Sequence, residues 1–175
     1  MISYCVFHVG ESRIGIPLAH VREIIEPQLI VPTPIPLTPA FVHGLFNLRG
    51  QILPYVDLTP FIGAPSKAAT PAIPRAHEAR DLRAVIVERG QFRFATPGRR
   101  VDTIDADPAQ FEPLEGAALY PALEAEAHTE YGRFRVIHLD RLEACLGQSL
   151  KQMETANPER GTRPAEAATN VELKT

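Results

Sequence analysis

The chain has 175 residues, of which 45% are hydrophobic, and a net charge of −3 from 18 Lys and Arg against 21 Asp and Glu. This content can form a core in one domain or two small lobes, and the lack of excess positive charge argues against a nucleic-acid partner. Seventeen prolines argue against a mainly helical protein, because proline breaks helix interiors but is tolerated at strand edges and in loops.

The two cysteines and the N-terminus indicate the compartment. Cys5 and Cys145 lack CxxC spacing, so neither a zinc site nor a disulfide framework is expected, and a reducing environment fits. The first residues contain no basic segment followed by an apolar one, and no run approaches the ~18 apolar residues that cross a bilayer. We therefore expect a cytoplasmic protein that does not insert into a membrane.

The chain begins with a hairpin pattern. Apolar and polar residues alternate over Tyr4 to Val9, and a glycine turn leads into Arg13 to Ile16. Leu18, Val21 and Ile25 then recur at helical spacing, which predicts a short helix with Glu23 on its exposed side. The proline-rich residues 27–39 are expected to be extended.

The central stretch, residues 40–63, reads AFVHGLFNLRGQILPYVDLTPFIG. Its two apolar runs flank a polar turn that ends in glycine, which predicts a hairpin with Arg49 at its tip. Either Asn47 and Gly50 only shape the turn and Arg49 is solvated, or Arg49 docks on a carboxylate of a partner. After this hairpin, Asp57 is placed to cap a short helical segment that Gly63 closes.

The second half repeats the order of the first. Gly90 and Pro97 keep the mutual spacing of Gly10 and Pro17, and further landmarks recur in order: Gly132 for Gly50, Asp140 for Asp57, and Gly147 for Gly63. We interpret this order as two copies of one all-β unit, the alternative being a chance alignment of glycines and prolines. The polar tail is expected to be mostly disordered after one possible helical extension.

No catalytic constellation emerges from the pattern. Asp57 and Asp140 resemble an acid and base pair, but the position of each before a helical turn is better explained by capping. The six histidines are dispersed without metal-ligand spacing. We therefore expect a protein that is not an enzyme and has no cofactor.

The segment AFVHGLFNLRGQILPYVDL resembles the core motif of the CheW-like coupling proteins, which join a chemotaxis histidine kinase to its chemoreceptors. The resemblance covers roughly residues 3–147 and is strong in the first half and weak in the second. The matching positions are Val42, Gly44, Asn47, Leu48, Arg49, Gly50, Pro54, Asp57 and Leu58.

The resemblance implies an all-β fold of two SH3-like five-stranded β-barrel subdomains with short helices. A single CheW-like domain would span residues 1–150, and residues 151–175 would form the tail. Within the domain, subdomain one would cover about 1–63, a linker 64–81 and subdomain two 82–147.

The resemblance also implies a scaffold that binds the CheW-like regulatory domain of the histidine kinase and the cytoplasmic tip of a chemoreceptor. By position, the candidates for partner contact are Val21, Glu23, Gly44, Asn47 and Arg49. Glycine at position 44 would leave room for a close-approaching helix of the partner.

Three alternatives stay open on the sequence. The first is a coupling protein of a non-flagellar chemosensory system, for example one for pilus motility. The second is a small β-barrel ligand-binding module, and the third is an enzyme that uses Asp57 and a histidine. One asymmetry favours docking: Tyr131 occupies the turn position that corresponds to Arg49, so the hairpin repeats but the charged tip does not.

Overall fold

A computed structural model describes residues 1–26, 31–63, 81–114 and 119–156, with side chains up to residue 152. These residues form ten strands and one α-helix, so the predicted all-β class is confirmed. Short 3-10 turns lie at Leu18–His20, Thr59–Phe61 and Pro108–Gln110. The remaining elements are β1 (Ile2–Val9), β2 (Ser12–Pro17), β3 (Val21–Ile25), β4 (Val42–Leu48), β5 (Gln51–Val56), β6 (Leu82–Arg89), β7 (Phe92–Ala106), β8 (Phe111–Pro113), β9 (Leu123–Thr129), β10 (Gly132–Ile137) and α1 (Leu139–Ala156).

Four antiparallel hairpins carry the fold, and all four contain the glycines that the sequence repeat singled out. They are β1–β2, β4–β5, β6–β7 and β9–β10. Their turn glycines have positive φ angles, which a residue without a Cβ atom adopts at no steric cost. The four angles are 59° at Gly10, 86° at Gly50, 60° at Gly90 and 97° at Gly132.

The hairpins join into one sheet with the strand order β3-β6-β7-β1-β2-β10-β9-β8, and β5 and β4 branch from β7. Within the described ranges the sheet does not close into a barrel, which corrects the expectation of two closed five-stranded barrels. The physical reason is the length of β7. Its first half pairs with β6 and its second half with β1. One 15-residue strand therefore joins two groups of strands, β3 to β6 on one side and β1, β2 and β8 to β10 on the other.

Two parallel pairings connect strands that are far apart in the sequence. β5 pairs with β7 through Tyr55 and Ala95, and β10 pairs with β2 through Val136 and Gly15. Each pairing joins a strand of predicted subdomain one to a strand of predicted subdomain two. The division at residues 64–81 stays a prediction, and residues 64–80 lie outside the described part of the chain.

The principal core lies where the two groups of strands meet α1. It contains Phe7, Ile14 and Phe94, each at most 1% exposed, together with Leu142 of the helix. Fully burying one such side chain stabilises the folded state by about 1.5–3 kcal/mol. Two smaller clusters fill the separate groups, one around Tyr55 on β5 and one around residues of β1 and β10.

The predicted helix over Leu18–Ile25 is wrong beyond its first turn. A 3-10 turn covers Leu18–His20, and the chain then enters β3, which pairs antiparallel with β6. Val21 lies opposite Val87 and Glu23 opposite Ile86, so Arg22 is the extra residue of a β-bulge. The bulge interrupts the alternation of a strand, which is why the apolar spacing resembled that of a helix.

The capping prediction for Asp57 is confirmed in part: Leu58 is the N-cap residue of the Thr59–Phe61 turn, and Asp57, one residue before it, accepts the first N–H of the turn. Its Oδ1 accepts hydrogen bonds from the Thr59 backbone N–H at 2.9 Å and from the Thr59 hydroxyl at 2.6 Å. The corresponding prediction for Asp140 is wrong, because α1 starts one residue before it. His138 Nδ1 accepts a hydrogen bond from the Arg141 backbone N–H at 3.4 Å instead.

The helix α1 extends into the predicted tail as far as Ala156, which agrees with the helical extension expected there. The rest of that tail, residues 157–175, lies outside the described residues. Of the segment predicted to be extended, residues 27–30 are also outside. The described part, 31–39, forms no strand but makes one antiparallel bridge, between Thr33 and Leu45 of β4.

Candidate functional site

The tip of the β4–β5 hairpin is fixed by a hydrogen bond between a side chain and the backbone of the turn. Asn47 Oδ1 accepts a hydrogen bond from the Gly50 N–H at 2.7 Å. Arg49 has a φ angle of 50°, a left-handed conformation that is uncommon for a residue with a side chain. Its side chain is 79% exposed. The predicted hairpin therefore forms, and its turn presents a guanidinium to solvent.

The structure brings together two residues that the resemblance singled out from distant positions. Arg49 Nη2 lies 3.1 Å from Glu23 Oε2 across the gap between the hairpin tip and β3. The Glu23 side chain is 23% exposed, so the carboxylate is the more buried member of this pair and the guanidinium is the more exposed one. We call Arg49 and Glu23 the tip pair.

Two other predicted site residues lie near the tip pair but have structural partners. Val21 is half-buried and packs against the principal core. Gly44 has a φ angle of 145°, and a Cβ atom there would lie 2.5 Å from the Thr33 carbonyl oxygen. The chain's own segment therefore already requires glycine at position 44, and the expected role in admitting a partner helix stays a prediction.

An exposed apolar side chain lies on the same hairpin as Arg49. Ile52 of β5, opposite Asn47 in the hairpin register, is 59% exposed. Exposed aliphatic groups provide the apolar contact that a protein interface needs at its centre.

A group of charged residues that the sequence did not predict lies next to the tip pair. Arg22 Nη1 donates to Gln51 Oε1 at 2.8 Å and to Glu88 Oε2 at 3.0 Å. Arg93 Nη2 lies 3.2 Å from Glu88 Oε1. These residues line a cleft of about 620 Å³. No spacing signal could have found it, because the β3 bulge decides where Arg22 points.

The second hairpin tip differs chemically, as the asymmetry predicted. Tyr131 is 64% exposed, and its backbone carbonyl accepts a hydrogen bond from Arg13 Nη1 at 2.6 Å. The aromatic tip therefore offers a phenol ring where the first tip offers a guanidinium.

Two titratable side chains of β1 have shifted pKa values. Burial, with a smaller effect of the Asp102 carboxylate, raises the pKa of the Cys5 thiol to about 11. Burial followed by the charges of Arg100 and Arg13 lowers the pKa of His8. Thiolate and imidazolium are therefore disfavoured at these positions near pH 7.

Among the residues that the structure describes, no three His, Cys, Asp or Glu side chains are grouped to hold a metal ion. No helix in those ranges is long and apolar enough to span a membrane. The fold is that of an all-β domain, and the tip pair gives one of its hairpins a charged tip.

The chain belongs to the CheW-like domain family, whose sequence model matches residues 3–148. Over 56 residues it is 41% identical to Protein FrzA of Myxococcus xanthus, a match that covers 32% of this chain and 34% of that protein. Over 52 residues it is 44% identical to the chemotaxis protein CheW of Treponema pallidum, which covers 30% of this chain and 29% of that one. The matches therefore span about a third of the length of these relatives.

A solved structure extends the likeness over most of the chain. The crystal structure of the scaffolding protein TtCheW from Thermoanaerobacter tengcongensis is similar with a TM-score of 0.63 and 26% sequence identity. The similarity covers 78% of this chain and 88% of that chain. Recognition of the family from the residues 40–58 motif is confirmed.

Proposed function

We propose that this protein is a cytoplasmic adaptor that couples chemoreceptors to a chemotaxis-type sensor histidine kinase and catalyses no reaction itself. Its action is geometric. An adaptor that binds two partners at once raises their effective concentration toward each other, so kinase output depends on the fit of two interfaces.

The observation that carries this proposal is the tip pair. An ion pair with a largely exposed member contributes at most about 1 kcal/mol to folding, because solvent screens it and the side chains lose entropy. Stability therefore does not account for an arginine held at a left-handed turn position. A guanidinium on a rigid hairpin is suited to bidentate contact with a carboxylate of another protein.

The surroundings of the tip pair fit the same role. Ile52 places apolar surface on the same hairpin as Arg49, and protein interfaces combine such aliphatic groups with charged ones. Asn47 supports the interface indirectly, because its hydrogen bond to Gly50 fixes the turn that presents the guanidinium. Val21 packs against the principal core, and Gly44 allows Thr33 to lie close to β4.

The test is a calorimetric titration of the intact chain with the CheW-like regulatory domain of a chemotaxis-type histidine kinase from the same organism. We expect binding in the range of about 1–50 µM, which corresponds to about −8 to −6 kcal/mol. Arg133→Glu is the matched control for substitution of Arg49, since Arg133 is an exposed arginine on β10, away from the tip pair. Absence of binding by the unmodified chain in this range would rule the proposal out.

Receptor coupling needs a second assay with three components. Receptor-containing vesicles, kinase and this protein are mixed and sedimented. We expect the kinase to pellet with the receptor only when the adaptor is present, because the adaptor supplies the link. Equal kinase in the pellet with and without the adaptor would contradict coupling.

A further inference from the structure

The cleft beside the tip pair is built by an irregularity in β3. Because Arg22 is the bulge residue, it is released from the regular alternation and turns toward β5 and β6. There it donates to Gln51 and Glu88, and Arg93 of β7 approaches the same carboxylate from the other side. Glu88 thus acts as a positioning residue that holds two guanidinium groups at one cleft.

The two arginines have more donors than their contacts use. A guanidinium carries five N–H groups. Both bonds of Arg22 come from the same nitrogen, Nη1, and Arg93 contacts Glu88 through Nη2. Within the described residues, Arg93 Nε is buried and has no hydrogen-bond partner. A buried donor without an acceptor is costly, so the cleft is deficient in acceptors.

The charge of the cleft contrasts with that of the whole protein. Arg22, Arg89 and Arg93 line it with one acidic residue, Glu88, although the full chain has a net charge of −3. Asp140 of α1 neutralises Arg89 through an ion pair, which leaves Arg22 and Arg93 sharing a single carboxylate. The local excess is positive and complements an acidic group.

Residues that line the cleft are close to the tip pair along the chain. Arg22 precedes Glu23 on β3, and Gln51 lies two residues after Arg49 on the hairpin. A protein docked on the tip pair would therefore pass directly over the cleft.

We propose that Arg22 and Arg93 bind a carboxylate of an acidic segment in the protein that docks on the tip pair. This inference rests on the proposed function, because the segment belongs to that partner. The bulge makes the site, Glu88 orients it, and the incoming carboxylate supplies the acceptors that the arginines lack.

The experiment titrates the intact chain and its variants with the kinase regulatory domain at two salt concentrations. Arg22→Gln and Arg93→Gln each remove one guanidinium, and Arg133→Gln is the matched control on β10. We expect each cleft variant to weaken binding about five- to tenfold and to reduce its salt dependence, with no change for the control. A fluorescent hexaglutamate peptide, alone and with inorganic phosphate as competitor, is the second probe.

The outcomes separate the two proposals. Normal binding of the kinase domain by both cleft variants would overturn this inference and leave the adaptor function standing. If the unmodified chain fails to bind the kinase domain, the adaptor proposal falls and the peptide decides: peptide binding that Arg22→Gln weakens supports the cleft, and no peptide binding overturns it. Displacement of the peptide by equimolar phosphate would also overturn it, since the cleft would then be a small-anion site.

Discussion

A Cβ atom on Gly44 would lie 2.5 Å from the carbonyl oxygen of Thr33, a distance that real Cβ atoms essentially never show. The close approach arises because Thr33 and Leu45 exchange two backbone hydrogen bonds, of 2.6 and 2.9 Å. The segment after residue 30 thereby covers the open edge of β4. Because Gly44 has no Cβ atom, Thr33 can pair with a sheet edge that would otherwise present unpaired backbone groups.

The Gly44→Ala variant is expected to lower the free energy of unfolding by about 1–3 kcal/mol, through the clash and the left-handed φ angle. Urea denaturation measures the change. The matched control is Gly147→Ala in α1, where nothing lies within 4 Å of the added methyl group. That control is expected to stabilise the protein by up to about 1 kcal/mol. Equal stability of Gly44→Ala and the unmodified chain would contradict the close contact.

Arg49→Glu separates docking from folding. We expect it to change the free energy of unfolding by less than about 1 kcal/mol, because the tip pair is exposed. Binding of the kinase regulatory domain should weaken at least about tenfold, since a repulsive charge replaces a bidentate donor. Calorimetry and thermal unfolding measure the two effects.

The charge-swapped double variant, Glu23→Arg with Arg49→Glu, tells whether Arg49 acts on the partner or only on Glu23. It restores an ion pair of reversed polarity. We expect folding at the level of the unmodified chain and no recovery of kinase binding. If binding recovers, the tip pair is needed only as an internal contact, and the docking role of Arg49 is excluded.

Gly63→Ala probes the contact between the end of the first half and the second. A Cβ atom at Gly63, whose φ angle is 63°, would overlap the ring of Tyr120, which itself lies 5.2 Å from the Arg135 guanidinium. We expect a loss of about 2–3 kcal/mol, from the clash and from the left-handed backbone.

In a Tyr120→Ala background the clash is absent, so Gly63→Ala should lower the free energy of unfolding only through the left-handed backbone conformation, by about 1 kcal/mol. A double-mutant cycle from denaturant unfolding gives the coupling between the two positions. Additive effects would mean that the ring moves aside freely and that the contact carries no energy.

The buried thiol of Cys5 predicts a loss of stability in alkali. Its pKa is raised from 9.0 to about 11 in the folded state, chiefly by burial. Above pH 9 the unfolded chain releases this proton while the folded chain retains it, so stability falls by about 1.4 kcal/mol per pH unit until about pH 11.

The Cys5→Ala variant isolates this effect from that of other groups, such as Tyr55, whose pKa burial also raises. We expect the stability difference between the unmodified chain and the variant to shrink from pH 8 to pH 10.5, as measured by urea denaturation. A difference that stays constant over this range would contradict a raised pKa for the thiol.

Local signals account for what the sequence predicted well. Glycine turns between alternating apolar runs predicted all four hairpins, and the turn at Asn47 to Gly50 directed attention to Arg49. The capping role of Asp57 also followed from position alone, because a carboxylate before a short helical turn has nearby N–H groups to accept from.

The features that escaped prediction depend on contacts between distant residues. Alternation of period two shows which face of a strand is buried but not which strand lies beside it. The pairing of Tyr55 with Ala95, the bulge at Arg22 and the approach of Thr33 to Gly44 all belong to this kind. The helix predicted over Leu18–Ile25 failed for the same reason, since the bulge hides the alternation of β3.

The crossed parallel pairings also govern how the chain folds during synthesis. β5 has its partner in β7 and β2 has its partner in β10, so the first 63 residues leave two strands without the neighbours that complete their sheet. Loop-closure entropy must be overcome before such distant contacts stabilise the chain, which slows folding. We therefore expect the edges of β5 and β2 to stay unpaired in the nascent chain until β7 and β10 have been synthesised.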